Sequence, residues 1–208
     1  MIADTITERL GDCVLIPVPK GEKGPKIKAW QKLTLSDMTA EHYAKLDGQN
    51  IGVLLGSASN HLISIDADSD DFLELFLSVN PSLRESFISR ASRGGNVWLR
   101  LVGDYPRSGK IKNADGSPWG EFRADGSQTL IHGQHPSGCS YTNNGKLPLS
   151  VEFGSITWPE ELILPWGLSL VSQPELQVIP KLSGNEVSTG NDENDAGRAA
   201  IFCHRFMD

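Results

Sequence analysis

Asp66 and Asp68 stand two residues apart at the end of the apolar run His61-Leu62-Ile63-Ser64-Ile65-Asp66-Ala67-Asp68. That run reads as a buried strand, in which successive side chains point to opposite faces. Ile63, Ile65 and Ala67 then share one face, and Ser64, Asp66 and Asp68 share the other. Two carboxylates at i, i+2 on one face repel each other unless a cation sits between them. Hard divalent ions such as Mg²⁺ take oxygen ligands of this kind. A plainer reading of the same acids competes with this one. Strand ends are polar, and one of Asp68, Ser69, Asp70 and Asp71 is expected to cap the apolar helical run Phe72-Leu73-Glu74-Leu75-Phe76-Leu77.

Two later segments bear on the choice. In Asn96-Val97-Trp98-Leu99-Arg100-Leu101, the residues Asn96, Trp98 and Arg100 face away from Val97, Leu99 and Leu101. In Gly120-Glu121-Phe122-Arg123-Ala124-Asp125, the residues Glu121, Arg123 and Asp125 face away from Phe122 and Ala124. If these strands neighbour the first in one sheet, a single wall carries Asp66, Asp68, Glu121, Arg100 and Arg123. Three carboxylates can hold two divalent cations, and arginines beside them can hold a triphosphate. That is equipment for phosphoryl or nucleotidyl transfer. The alternative is an ordinary half-exposed antiparallel sheet, in which the same alternation is routine. Trp98 suits stacking on a base, although packing is the commoner use of a strand tryptophan.

The elements that must position these residues are readable along the chain. An amphipathic lead-in covers 2–10, and a strand over 13–18 is stopped by proline. A loop rich in Lys, Gly and Pro follows. Ser36 caps a helix running to about Leu46. Strands are expected over 51–55 and 61–67, then a helix over 70–78 and a second short helix from Pro81 to Ile88. Strands over 96–101, 119–124 and 128–132 form a second sheet group. Residues 102–118 read as a long loop of the kind that more often serves function than structure. A strand near 149–153 and a Trp/Pro-rich segment, Trp158 to Trp166, close a domain over 1–172. Residues 173–195 are polar and read as a linker, and 196–208 start a helical pattern that looks like the beginning of a second, truncated region.

Composition bounds the partners. At 208 residues the chain can bury a real core, and its net charge of −7 argues against broad electrostatic coating of nucleic acid. Charge is nonetheless unevenly spread. Arg90, Arg93, Arg100, Arg107, Lys110, Lys112 and Arg123 outnumber the acids among them, and Lys20, Lys23, Lys26 and Lys28 form a second basic cluster. A basic groove on an acidic body and a solvated mixed surface both fit this pattern. No secretory signal and no membrane-length apolar run is present, and Cys13, Cys139 and Cys203 are odd in number and scattered. A reducing cytoplasm is the expected compartment. His132, His135 and Cys139 supply three ligands of a zinc site, with no convincing fourth.

Four blocks in order resemble the N-terminal domain of bifunctional DNA primase/polymerases, the prim-pol branch of the archaeo-eukaryotic primases. They are Pro17-Val18-Pro19-Lys20-Gly21-Glu22-Lys23-Gly24-Pro25-Lys26 with Trp30; Asn50-Ile51-Gly52-Val53-Leu54-Leu55-Gly56-Ser57 running into Ile65-Asp66-Ala67-Asp68; Ser92-Arg93-Gly94-Gly95-Asn96-Val97-Trp98; and Gly120-Glu121-Phe122-Arg123-Ala124-Asp125-Gly126 followed by His135-Pro136-Ser137-Gly138 and Tyr141. The resemblance spans about residues 10–165.

It implies an α+β primase-polymerase core with mixed sheets and an RRM-like half. The implied activity is template-directed nucleotidyl transfer, as primase, DNA polymerase or both, in plasmid, phage or mobile-element replication. Asp66 and Asp68 match the family's metal-binding acid pair and Glu121 its third acid, together holding two Mg²⁺ or Mn²⁺ ions. Arg93, Asn96 and Arg100 would contact the triphosphate, with Arg123 as a further phosphate contact and His135 as a loop residue near the nucleotide. Asn96 departs from the pattern, standing where the family usually has a histidine; an amide donates a hydrogen bond but carries no charge. The implied partners are single-stranded DNA template and primer, nucleoside triphosphates and a downstream helicase. Two rivals stand beside this reading: a non-catalytic module that binds nucleic acid or nucleotide, and a metal-dependent nuclease built on the same acids.

Overall fold

The computed structural model describes residues 2–167. The expected linker over 173–195, the helical start over 196–208 and Cys203 lie outside the described residues. The chain opens with helix α1 (Ile2–Leu10), which buries Ala3, Ile6 and Leu10 on one stripe. Strands β1 (Val14–Val18) and β2 (Asn50–Leu54) follow, separated by the basic loop, two 3-10 turns and the short helix α2 (Ala40–Ala44). Next come β3 (Leu62–Ala67), α3 (Asp70–Val79), β4 (Phe87–Arg90), β5 (Gly95–Val102), β6 (Gly109–Lys112), β7 (Pro118–Arg123), β8 (Gln128–His132), β9 (Thr142–Asn143) and β10 (Leu149–Glu152).

Among the described residues these strands form two sheets. The smaller has the order β1-β2-β8 and the larger β6-β7-β3-β5-β4-β9, with β10 pairing the second half of β5 in parallel. The other pairings are antiparallel, so the α+β expectation holds, with mixed pairing in the larger sheet.

One face of the large sheet presents Ile63, Ile65, Val97, Leu99 and Phe122 to Leu73, Phe76 and Leu77 of α3, with Trp158 and Trp166 packed on the same core. On the other face, Leu62, Phe87 and Trp98 pack with α1 and with Leu15, Ile51, Val53 and Leu55 of the small sheet. Trp98 is buried and its Nε1 donates to Ser89 Oγ at 2.8 Å, so it packs and does not stack on a base. The polar face of the large sheet is therefore covered at one end and open at the other.

Several sequence expectations are corrected. The helix expected from Ser36 is two pieces: Thr34 and Asp37 close a capping box around the 3-10 turn Leu35–Asp37, and Thr39 caps α2 anew. The short helix over 81–88 ends as a 3-10 turn at Glu85, and Phe87–Arg90 is strand. The long loop over 102–118 contains β6, whose single inward side chain, Ile111, is too short a pattern to stand out. Residues 128–132 join β2 and not β7: the Ala124–Ser127 turn and the Leu55 N–H to Ser127 bond at 2.9 Å hand the chain to the other sheet. Alternation fixes a strand's faces but not its neighbours. No helix among the described residues is long and apolar enough to cross a membrane.

Candidate functional site

The three alternating segments are neighbours, in the order β7-β3-β5. Asp66 lies opposite Glu121 on one side and opposite Asn96 on the other. Directly opposed residues in antiparallel strands share a face, so all three point the same way. The register also places Val97 in the apolar core on the far side, which leaves Asn96 as the position in the glycine-rich block that faces the acids. Two glycines permit this close assembly. A Cβ at Gly120 would sit 1.8 Å from the Asp66 carbonyl oxygen, and one at Gly94, where φ is 60°, would sit 1.9 Å from that of Ala67.

Asp68 stands one residue beyond β3, exposed, with its N–H donating to the Trp119 carbonyl at 2.9 Å. The cap of α3 is taken by Ser69, whose Oγ accepts from the Phe72 N–H at 3.2 Å. That leaves the Asp68 carboxylate out of capping. Asp125 is occupied elsewhere: its Oδ1 accepts from the N–H and hydroxyl of Ser57, each at 2.7 Å.

Arg123 is the hub of the acid wall. Its Nη2 lies 2.6 Å from Asp66 Oδ2 and its Nε donates to Glu121 Oε2 at 2.9 Å. Lys110 of β6 donates to the same Glu121 oxygen at 2.9 Å. The side chains of Asp66, Glu121 and Arg123 are 18%, 21% and 23% exposed, whereas that of Lys110 is 71% exposed. Burial pushes the Asp66 carboxyl above its ordinary value; Arg123 opposes the rise, and Asp68 and Glu121 add to it. Burial pushes Glu121 up too, but the hydrogen bonds from Arg123 and Lys110 outweigh it and hold that carboxyl below its ordinary value. Burial lowers Arg123, yet Asp66 and Glu121 keep it above the ordinary guanidinium value.

The register also sets a second line of polar contacts. Ser64 Oγ bonds Thr129 Oγ1 of β8 at 2.8 Å and Asn96 Oδ1 at 3.2 Å. With Oδ1 so engaged, the Asn96 amide nitrogen is the atom left to donate, and it makes no hydrogen bond among the described residues.

A cavity of about 560 Å³ lies over this wall, within the range of small-ligand sites. Asp66, Asp68, Asn96, Glu121 and Arg123 line it, together with Arg93, His135, Tyr141, Lys23 and Thr129. Burial, with Lys23 and Arg93 nearby, lowers the His135 imidazole below its ordinary value. Burial pushes the Tyr141 hydroxyl up to about 12, with Arg123 pulling it down and Asp66 adding to the rise.

Arg100 is the one expected site residue that the structure takes elsewhere. It shares the polar face of β5, but its Nη1 donates to the carbonyls of Ser59, at 2.9 Å, and Asn60, and its Nη2 to that of Leu10 at 2.6 Å. The Asn60–His61 turn has positive φ at both residues, and Arg100 satisfies the carbonyls beside it. Its guanidinium has been spent on backbone at the covered end of the sheet. Lys23, Lys110, Ser64 and Thr129 were not expected at the site. Lys23 stood out only as part of a basic cluster, and Ser64 only through its face; Lys110 and Thr129 follow from pairings that the sequence pattern does not reveal.

The donor set of Asp66, Asp68 and Glu121 is hard carboxylate oxygen, the kind that Mg²⁺ and Mn²⁺ accept. Among the described residues, no three acid, histidine or cysteine side chains converge on one point as they stand, because Asp66 and Glu121 turn onto Arg123; His132, His135 and Cys139 do not converge either. The chemistry of the set fits a divalent cation, with Arg123 in the position of a competing charge.

No curated protein matches the chain significantly. The family model for Prim-Pol, the bifunctional DNA primase/polymerase N-terminal domain, matches residues 6–152, which include both sheets and every strand that lines the cavity. The chain belongs to the family of bifunctional DNA primase/polymerase N-terminal domains.

Proposed function

We propose that the cavity carries out template-directed nucleotidyl transfer, joining the 3′-hydroxyl of a primer, or of a first nucleotide, to the α-phosphate of a nucleoside triphosphate. The observation that carries the reading is the register that aims Asp66, Glu121 and Asn96 into one cavity beside Arg123. Asp66, Asp68 and Glu121 would hold two Mg²⁺ or Mn²⁺ ions, which when bound lower the pKa of the attacking hydroxyl and neutralise the leaving pyrophosphate.

The chain's own residues do the positioning, and positioning carries much of the catalysis in phosphoryl chemistry. Arg123 turns from the carboxylates to phosphate oxygens, exchanging one charge-assisted pair for another. Asn96 donates a neutral hydrogen bond from the amide nitrogen that Ser64 leaves free. Template and primer are single-stranded DNA, and a helicase activity downstream would supply it.

A second reading draws on two observations: Asn96 in place of the family's histidine, and an acid wall already neutralised by Arg123 and Lys110. It makes the domain a module that binds template or nucleotide without polymerising. The experiment is incorporation of labelled nucleotides on primed and unprimed single-stranded DNA, with Mg²⁺ or Mn²⁺. Lengthened products with matching pyrophosphate release, lost in Asp66→Asn, support transfer. DNA binding without products supports the module, and shortened input DNA marks a nuclease.

A further inference from the structure

The cavity has a rim that the acid wall does not explain. Lys23 projects from the loop between β1 and α2, far in sequence from every other lining residue. The loop is pinned at Lys23 itself, where the backbone carbonyl accepts from Gln128 Nε2 on β8 at 2.7 Å. Gln128 in turn packs against Gly52, where a Cβ would come within 2.6 Å of its Oε1, so β2 and β8 together fix the place from which Lys23 reaches the cavity.

Arg93 enters on the turn that Gly94 allows with its positive φ. His135 completes the rim. The Ser137 N–H donates to its Nδ1 at 3.1 Å, which puts the proton of the neutral ring on Nε2.

The cavity's charges separate into two groups. Lys110 and Arg123 pair with Glu121 and Asp66, but Lys23 and Arg93 pair with no carboxylate among the described residues. Lys23 and Arg93 both bear electrostatically on His135, and neither is among the charges that bear on Asp66. Two unpaired cations and a ring N–H donor on one side of a cavity form an anion site.

We infer that Lys23, with Arg93 and His135, binds the outer phosphates of the incoming nucleotide, so that its polyphosphate runs from the Asp66 wall to the Lys23 loop. The assignment rests on the proposed function and fixes the nucleotide's direction in the cavity. Lys23 then reads the length of the phosphate chain: a triphosphate reaches it and a monophosphate does not. Gln128 is a positioning residue that acts through Lys23.

The test is equilibrium binding, without turnover, of dGTP, dGDP, dGMP, inorganic tripolyphosphate and a single-stranded oligonucleotide to wild type, Lys23→Ala, Lys23→Arg and Gln128→Ala. Lys23 is exposed, so its loss leaves the core untouched. Lys23→Ala is expected to weaken dGTP and tripolyphosphate roughly tenfold, the size of one charge-assisted hydrogen bond. It should leave dGMP unchanged, Lys23→Arg should restore most of the loss, and Gln128→Ala should show a smaller loss in the same order. An equal loss on dGTP and dGMP, no loss on dGTP, or a loss confined to the oligonucleotide overturns the assignment while leaving the transfer reading in place. Lys23-dependent tripolyphosphate binding by a protein that never incorporates nucleotide keeps the phosphate site and removes the transfer reading. A wild type that binds no triphosphate and no tripolyphosphate removes both.

Discussion

Asn96 and Arg100 lie on the same face of the same strand, four residues apart, and they have opposite fates. Asn96 opens onto the cavity with an uncommitted amide nitrogen. Arg100 is fastened to three backbone carbonyls beneath α1 and the turn before β3. Trp98, between them, marks where the cover begins, since it is buried in the core shared with the small sheet. One polar wall therefore has a working end and a structural end. The difference comes from what is laid over the wall and not from the strand's own sequence.

That contrast predicts a division of effects. Changes at the open end should remove activity and spare stability, and changes at the covered end should do the reverse. The largest effect is expected for Glu121→Gln, which keeps the shape of the side chain but loses the charge a divalent ion needs. Incorporation should fall roughly a hundredfold or more, with partial recovery in raised Mn²⁺. Unchanged metal dependence would take Glu121 out of the site.

The same variant has a signature in stability. The Glu121 carboxyl is held below its ordinary value in the fold. Its stabilising contribution is thus present above the unfolded-state pKa and lost as the pH falls through the depressed folded value. Melting curves from neutral to about pH 3 should show wild type losing its advantage over Glu121→Gln at the acid end. Asp66, raised by burial, works in the opposite direction: it costs stability above its folded pKa and ceases to do so as it protonates.

Next in size is Arg100→Met. Losing a charged donor to three carbonyls should cost about 2–3 kcal/mol of stability, because the acceptors are left part-buried and unpaired. The Michaelis constant for nucleotide should stay within about twofold of wild type once the protein is folded. A raised constant with normal stability would return Arg100 to the triphosphate and break the contrast.

Asn96 should show the converse. Asn96→Ala should raise the Michaelis constant several-fold with an unchanged melting temperature. Asn96→His should match or improve on wild type, since a charge-assisted bond to phosphate is worth about twice a neutral one. Equal constants for Asn96→Ala and wild type would mean that this end of β5 does not touch the nucleotide.

The smallest effect belongs to Lys110→Ala. Its bond to Glu121 is from a largely exposed side chain, so stability should change by less than about 1 kcal/mol. Removing a cation that competes for Glu121 should modestly tighten Mn²⁺ binding, and calorimetric titration would detect a change in either direction.

The sequence made the faces legible and left the coverage hidden. Period-two alternation correctly put Asp66, Glu121, Asn96 and Arg123 on one wall, because burial of Ile63, Val97 and Phe122 on the other side leaves the chain no freedom of face. It put Arg100 on the same wall correctly, but alternation says nothing of the backbone carbonyls that later arrive over a given position. Sheet membership escaped for a similar reason. Residues 128–132 have the pattern of an ordinary strand, and only the turn at Ala124–Ser127 decides which sheet they join. β6 escaped because a four-residue edge strand with one inward side chain is indistinguishable from loop composition. Lys23 was visible only as one of four lysines, since the hydrogen bond that sets it apart comes from a residue more than a hundred positions away.

Asp68→Asn offers the most direct test of the central claim that the open end of the wall is a nucleotidyl-transfer centre. Asp68 is exposed, caps no helix and makes no side-chain hydrogen bond among the described residues, so this substitution removes one charge and no structural contact. Labelled-nucleotide incorporation on primed single-stranded DNA should fall by roughly a hundredfold or more, with an unchanged melting temperature. Incorporation near the wild-type rate would contradict the account.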